Sequence, residues 1–475
     1  MAKKEKTTVN NASIAHQGTE IILPIINGKP MSYDEGIEWL KRKKDEEERD
    51  MNVHYRVKGL PLDGLVAFHR ALAHKYGWTN SVPTPGFFGD KPPAMLGIQV
   101  SPTERIDVPF GRLLVPGIQG YLTTNIETED AHPYFHIGGT VKKKDAKLVN
   151  ELTALTEKFL KEQSIYKGRA IKVAFDWLNS NGGMRRDYEP LEDAPQFMDL
   201  GDVSEDDLIF GDKVMSALNI GLFTPLEQAE VCRKYGVPLK RGILLYGPYG
   251  TGKTMTAYVA ASKGTKKGWT FIYLDTVLDL KRGLELAALY SPAVVFAEDI
   301  DRAVNGQRSV SMDEILNTLD GVDTKNTEIM TVLTTNHVEN INPALLRPGR
   351  LDTLVEVLPP DATAAERLVK LYARDLLASD VDLSKVGRAL AGNIPAFIRE
   401  VTERAKIAAI FRMKGEEIKG KVLEVDVLDA AKAMETHIDM LKPRENAHPG
   451  NPELMVKIPQ NHAASQKVLQ MFKQQ

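Results

Sequence analysis

Five short apolar runs mark the second half of the chain: Gly242–Tyr246, Thr270–Leu274, Ala293–Ala297, Ile329–Thr334 and Thr353–Leu358. Each lacks the polar alternation of a half-solvated strand, so each predicts a strand buried on both faces. Helical patterns separate them, which predicts a parallel α/β sheet. Residues 361–440 carry almost purely helical periodicity, and 443–475 read as a polar tail with several Pro and Asn.

The first half is patterned differently. Residues 1–30 are polar and mixed, and are expected to be flexible. Ser32–Asp50 predicts a helix with a thin apolar face of Ile37, Trp39 and Leu40. There Lys41–Lys44 and Asp45–Glu48 place opposite charges at helical spacing, as on a solvated face. Leu65–Tyr76 predicts a second helix. Gly86–Gly139, rich in Pro, Gly, Val, Ile and Tyr, predicts short strands. Ala146–Gln163 predicts a helix with Leu148, Leu152, Leu155, Phe159 and Leu160 on one face. Tyr166–Trp177 reads as a strand, and Asn179–Pro195, with its Asn-Gly-Gly and two prolines, as a loop and domain boundary. The expected domains are 1–50, a flexible start and charged helix; 51–195, α+β; 196–360, α/β; 361–442, helical; and 443–475, the tail.

Composition narrows the class. The 475 residues are 43% hydrophobic and 26% charged. At about 150 residues per domain this length suggests roughly three domains. Lys+Arg 61 against Asp+Glu 64 leaves a net charge of −3. That balance argues against broad nucleic-acid or acidic-membrane binding. The single Cys232 excludes an internal disulfide framework and a Cys-rich zinc site. The 14-residue uncharged stretches Tyr76–Gly89 and Leu113–Ile126 contain Pro and Gly. They fall short of the about 20 apolar residues of a spanning helix. The Lys-rich start lacks an apolar core for a secretory signal. A cytoplasmic protein is the expectation. His132 and His136 stand four apart, but Pro133 breaks helical geometry between them and no third metal ligand is evident.

Two segments carry chemistry. Gly247-Pro248-Tyr249-Gly250-Thr251-Gly252-Lys253-Thr254 follows the apolar run Ile243–Tyr246 and precedes a helical pattern, Met255–Ala261. Glycines at that spacing let backbone N–H groups wrap phosphates at a helix N-terminus. Lys253 would add a charge at the β/γ-phosphates, and Thr254 a hydroxyl for Mg²⁺. Downstream, Val294–Ala297 ends in Glu298-Asp299-Ile300-Asp301, which puts carboxylates at the sheet edge beside the phosphate loop. One would hold Mg²⁺, and its neighbour would polarise a water.

With Thr334-Thr335-Asn336-His337 and Asn342-Pro343-Ala344-Leu345-Leu346-Arg347-Pro348-Gly349-Arg350-Leu351-Asp352, these motifs stand in the order of the AAA family of ATPases, which the chain resembles over Leu208–Lys442. The resemblance implies a RecA-like parallel-sheet core, a C-terminal helical lid, an N-terminal α+β domain, and a homo-oligomeric ring commonly of six subunits. It implies ATP and Mg²⁺ as ligands, Asn336 as the sensor residue, and Arg347 and Arg350 as fingers acting on the neighbouring subunit. It also implies an ATPase that remodels a protein substrate the sequence does not identify.

Tyr235–Gly242, the Glu-Asp order at Glu298-Asp299 and Thr334–His337 are similar to the subgroup of the Rieske-protein chaperone, without its transmembrane helix. Most of the family reads Asp-Glu there. Glu298 thus takes the metal-side position and Asp299 the water-polarising one. Because Asp is shorter than Glu by one C–C bond, about 1.5 Å, the water must sit closer or the strand end must move. Tyr249 replaces the loop's usual second Pro. Asp275–Pro292 lacks an aromatic–small–Gly pore signature, leaving Leu278, Leu280, Lys281 and Arg282 as pore-facing candidates. Ala396 matches the sensor-2 position, with Arg399 read as a lid surface residue. The shortened pore segment leaves open an assembly or regulatory switch without threading. A nucleic-acid motor is disfavoured by the net charge and the lone Lys142–Lys144 run.

Overall fold

A computed structural model describes residues 11–16, 19–26, 29–30, 32–86, 89–129, 132–176, 178, 186–300, 328–341, 343–347, 349–351, 353–378, 381–414, 418 and 420–434. Asp301, Asn342, Pro348, Asp352 and the tail 443–475 lie outside them.

The first strands correct the expectation of a flexible start. β1 (Asn11–His16), β2 (Thr19–Ile26) and β3 (Lys29–Pro30) form an antiparallel three-stranded sheet. α1 (Tyr33–Glu47) begins at Ser32, whose side chain and backbone exchange hydrogen bonds with Glu35. That reciprocal cap satisfies two otherwise orphaned donors.

An antiparallel sheet follows, built from β4 (Asp50–Val57), β5 (Asn80–Val82), β6 (Ala94–Gln99), β7 (Arg105–Leu114), β8 (Gly120–Glu129) and β9 (His132–Lys142). Its order is β4-β9-β8-β7-β5, with β6 on β7. The strands are longer than the Pro/Gly-rich sequence suggested. α2 (Pro61–Tyr76) and α3 (Ala146–Glu162) belong to this region. α2 begins four residues earlier than periodicity indicated, because Pro61 occupies its first turn, where no N–H is needed.

The second sheet contains β10 (Ala170–Val173), β11 (Gln196–Phe197), β12 (Arg241–Tyr246), β13 (Thr270–Leu274), β14 (Ala293–Ala297), β15 (Ile329–Thr335) and β16 (Thr353–Glu356). The order is β11-β10-β13-β14-β15-β12-β16, parallel except for β11. Every residue of β14 and β15 is buried, as unbroken apolar runs require. β10, expected upstream of the domain boundary, is instead a member of this sheet, in register with β13 from Ala170 opposite Phe271 to Val173 opposite Leu274.

The helices flanking the sheet are α4 (Asp212–Leu218), α5 (Thr224–Glu227), α6 (Ala229–Lys234), α7 (Lys253–Lys266) and α8 (Leu280–Leu289). The helical region that follows holds α9 (Ala362–Ala373), α10 (Ser384–Leu390), α11 (Pro395–Met413) and α12 (Glu424–Ala433), which share their own apolar cluster. The antiparallel region and one face of the parallel sheet share a single cluster, running from Val53, Phe68 and Phe135 to Ile272, Leu284 and Val295. Among the described residues no helix is long and apolar enough to cross a membrane.

The segment expected to face a pore is ordered differently. It forms a short 3₁₀ turn, Val277–Asp279, and then α8. Leu280 is 1% exposed and packs in the core, so it is withdrawn as a pore-facing residue. Leu278, Lys281 and Arg282 keep at least partial exposure.

Asp279 closes this turn, and burial pushes its carboxyl up to about 6. Arg282, 3.8 Å away, and a backbone bond from Phe175 oppose the shift, while Asp176 and Asp275 add to it. A carboxyl raised in the folded state binds more protons there than when unfolded. Its contribution is therefore complete below the ordinary value of 3.8 and is lost as pH rises through about 6. Asp279→Asn should raise the urea midpoint at pH 7.5, by an amount on the order of 1 kcal/mol. It should also flatten the decline in stability between pH 4 and 7, about the span of the two values. An unchanged pH profile would show that Asp279 does not titrate in this way.

Candidate functional site

The site is assembled where three parallel strands end side by side. β12 runs into the glycine-rich loop, β14 into Glu298-Asp299, and β15 into Asn336-His337. Register fixes the neighbours: Tyr246 stands opposite Thr335, and Ala297 opposite Leu333.

The loop residues Gly247–Thr254 turn tightly over the sheet edge. Gly247 has φ 147, and a Cβ there would lie 2.2 Å from the carbonyl oxygen of Val357. Gly250 and Gly252 have φ 73 and 108, a region that side chains rarely adopt. The Gly247 N–H donates to Thr335 O at 3.3 Å, and the Val357 N–H to Tyr246 O at 2.7 Å. Thr251 donates to Pro248 O at 2.9 Å. Lys253 is 8% exposed and donates to the loop's own carbonyls, Gly247 O at 2.7 Å and Pro248 O at 2.8 Å. α7 begins at Lys253, so its N-terminal amides open into this loop. Tyr249 is exposed, with its ring edge-on to His337 at 6.0 Å.

The acidic pair divides between two partners. Thr254 Oγ1 donates to Glu298 Oε1. The Tyr273 hydroxyl also bonds Glu298, and burial together with that charge pushes its ionisation up. Asp299 has φ 52, a left-handed conformation that Asp tolerates better than most residues. Its backbone N–H donates to Thr334 Oγ1 at 3.1 Å, and its Oδ1 accepts from Asn336 Nδ2 at 2.8 Å. Thr254 thus contacts Glu298 and Asn336 contacts the adjacent Asp299, while Lys253 stays on the carbonyls of its own loop.

A hydroxyl and a carboxylate in contact form a hard-oxygen pair that suits Mg²⁺, a cation that keeps most of its waters. Among the described residues no group of three or more His, Cys, Asp and Glu converges on a metal position, so an all-protein metal cage is not present there. His132 and His136 lie on β9, where His136 Nε2 faces His54 Nδ1 at 3.3 Å instead.

Arg347 is exposed, whereas Arg350 is partly buried and donates from Nη1 to Ala344 O at 2.7 Å. The turn carrying them lies flush against β12. A Cβ on Gly242 would sit 1.6 Å from the Arg350 carbonyl oxygen. Arg399 is exposed on α11, consistent with a lid surface residue.

Several contributors were missed by motif reading. Thr334, Tyr273 and Gly242 hold the acids and the arginine turn. Phe210 packs 3.1 Å from a Cβ position at Gly252, and Ile394 of the helical region packs 3.1 Å from one at Gly250. Gly242 left a signal, a glycine inside an otherwise apolar strand, which marks close backbone approach, and Thr334 stood inside the quoted Thr334–His337 motif without an assigned role.

Comparison with known proteins agrees with this geometry. Residues 243–358 match the family described as "ATPase family associated with various cellular activities (AAA)". The chain is 33% identical over 231 residues to the proteasome-activating nucleotidase of Methanopyrus kandleri, covering 44% of this chain and 52% of that protein. It is 27% identical over 299 residues to the proteasome-activating nucleotidase of Archaeoglobus fulgidus, 59% and 73% of the two chains. It is 26% identical over 253 residues to the cell division cycle protein 48 homolog of Archaeoglobus fulgidus, 50% and 34%. The chain spans about half the length of the first of these relatives.

Thr334→Val keeps the side-chain shape but removes the acceptor for the Asp299 N–H. The urea midpoint should fall by about 1 kcal/mol of stability. An unaltered midpoint would mean that this bond does not hold the strand end.

Proposed function

We propose that this chain, whose residues 243–358 form a domain of the AAA family, is an ATPase that works as a homo-oligomeric ring of six subunits on a protein or protein complex. The observation that carries the reading is the convergence of Lys253, Thr254, Glu298, Asp299 and Asn336 at one sheet edge, beneath a loop shaped for phosphate.

ATP is the substrate, seated with its phosphates on the amides of Gly247–Thr254. On binding, Lys253 exchanges two loop carbonyls for phosphate oxygens, so the free loop is already held in a compatible shape. Thr254 and Glu298 would hold Mg²⁺, which would supply charge neutralisation at the phosphates. Asp299 orients and polarises the attacking water. Asn336 fixes the Asp299 carboxylate through its 2.8 Å bond. Arg347 and Arg350 serve the neighbouring subunit's nucleotide, and Ile394 carries the state of the site to the helical lid. The substrate is a protein rather than a nucleic acid, in line with the net charge, and the setting is cytoplasmic. The folded, partly buried segment from Val277 to Leu289 favours a second mode, in which nucleotide sets the assembly of a partner without threading it.

Lys253→Ala should abolish ATP binding by calorimetry, because no other loop side chain brings positive charge to the phosphates. Asp299→Asn should bind ATP and hydrolyse it at a small fraction of the parent rate. Asn tolerates the same left-handed backbone, so the fold is kept. Normal turnover by Asp299→Asn beside an inactive Glu298→Gln with an ordinary Mg²⁺ response would reverse the two roles.

A shared site makes a further demand. Arg350→Ala should bind ATP but lose hydrolysis, by about 10³-fold or more if the guanidinium meets transferring phosphate. Mixing it with Lys253→Ala chains should restore part of the activity, since an intact loop can then face an intact arginine. Concentration-independent turnover with no rescue on mixing would leave the arginines as surface charges.

A further inference from the structure

The two sheets are joined by a polar group buried in their shared core. Asp63, on α2, is 1% exposed. Its Oδ2 accepts from Ser164 Oγ at 2.6 Å and from the Tyr290 hydroxyl at 3.0 Å, and its Oδ1 from the Ile165 N–H at 2.9 Å. Tyr290 follows the last turn of α8 and precedes β14, the strand that ends in Glu298-Asp299. The same hydroxyl accepts the Leu60 N–H at 3.2 Å. The Tyr290 carbonyl accepts from Thr270 Oγ1 at 2.7 Å, and Thr270 Oγ1 in turn accepts from the Gly168 N–H at 2.9 Å. Tyr166 lies edge-on to Tyr290 at 6.3 Å and is 1% exposed.

Of these, the bonds of the Tyr290 hydroxyl to Asp63 and to the Leu60 N–H cross the seam between the antiparallel region and the parallel sheet, while the others brace Asp63 and Tyr290 on their own sides. Packing alone does not close that seam. A cavity of about 340 Å³ opens in it, lined by Val57, Leu60, Tyr134, Phe175, Leu286 and Leu289. At its edge His132 and Glu285 approach only to 3.8 Å, both well exposed. Apolar packing is non-directional and tolerates sliding, whereas a buried carboxylate with three donors has a single low-energy geometry. Losing the Tyr290 donor would leave Asp63 under-satisfied in a dry site, which is costly.

We propose that the Asp63–Tyr290 bond locks the N-terminal antiparallel domain and the parallel sheet into one rigid body, so that nucleotide moves the helical lid and not this domain. Burial raises the Tyr290 hydroxyl well above its ordinary value, so it remains a donor at neutral pH. The inference rests on the proposed ATPase only for what nucleotide should do; the lock itself is tested without nucleotide.

The test measures a distance across the seam. Spin labels at Met95→Cys on β6 and Lys267→Cys beyond α7 use two exposed positions, while the native Cys232 is buried. Pulsed dipolar spectroscopy on the full chain should give one narrow distribution, the same without nucleotide and with a non-hydrolysable ATP analogue. Tyr290→Phe, which keeps the ring and loses the hydroxyl, should broaden it. Asp63→Asn, whose carbonyl still accepts from Tyr290, should keep it narrow. A shift of more than about 5 Å with nucleotide, the scale of a domain rearrangement, would overturn the lock. So would a Tyr290→Phe distribution as narrow as the parent's. Failure of the analogue to bind would sink the ATPase reading instead, and the comparison of variants without nucleotide would still decide the lock.

Discussion

The parallel register of β12, β14 and β15 is the constraint on which the site depends. Each strand is an apolar run buried on both faces, so a slip of one residue would push side chains into wrong pockets across the whole sheet. With Tyr246 opposite Thr335, the glycine loop and Asn336 leave the sheet level with one another, and β14, whose Ala297 stands opposite Leu333, ends two residues earlier, so that Glu298-Asp299 run alongside Thr334 and Thr335. Backbone and hydroxyl bonds then set the final angles. Gly247 N–H on Thr335 O and Asp299 N–H on Thr334 Oγ1 join strands that are distant in sequence. The polar chemistry is concentrated at this edge because the sheet interior beneath it is dry.

Past the end of β14 the backbone turns left-handed at Asp299. Asn336 and Thr334 hold that turn from the adjacent strand. A residue in this conformation persists where its surroundings determine it, and such positions cluster at functional sites.

The antiparallel domain is not a separate attachment. Its core belongs to the same apolar cluster as one face of the parallel sheet, and the Tyr290 bonds to Asp63 and Leu60 add direction to the seam beside its cavity. The seam therefore combines many weak contacts, which exclude water, with a few bonds that set orientation. The helical region has its own core and touches the site at few points, among them Ile394 near Gly250. That division makes the lid the freer of the two neighbours of the parallel sheet.

The five apolar strands β12 to β16, the glycine-rich loop and the acidic pair at the end of β14 were legible because each depends on short-range pattern. An apolar run is recognisable within five residues, and glycine spacing encodes a backbone shape locally. β2 was missed although Ile21–Ile26 is an apolar run, while β1 and β3 carry no comparable run. β10 was read as a strand but placed in the wrong region, since its parallel partner β13 lies about a hundred residues later and nothing local names it. Leu280 was read as exposed because a lost pore signature looks like a loop, whereas α8 folds back onto the sheet. Sequence by itself determined the strands, the loop and the identities of the chemical groups, since these follow from local backbone preference and burial period. Tertiary structure decided what those groups touch: Thr334 and Tyr273 beside the acids, Gly242 against the arginine turn, Asp63 on Tyr290. Such bonds join residues far apart in the chain, and only closure of the whole core brings them within the about 3 Å that a hydrogen bond requires.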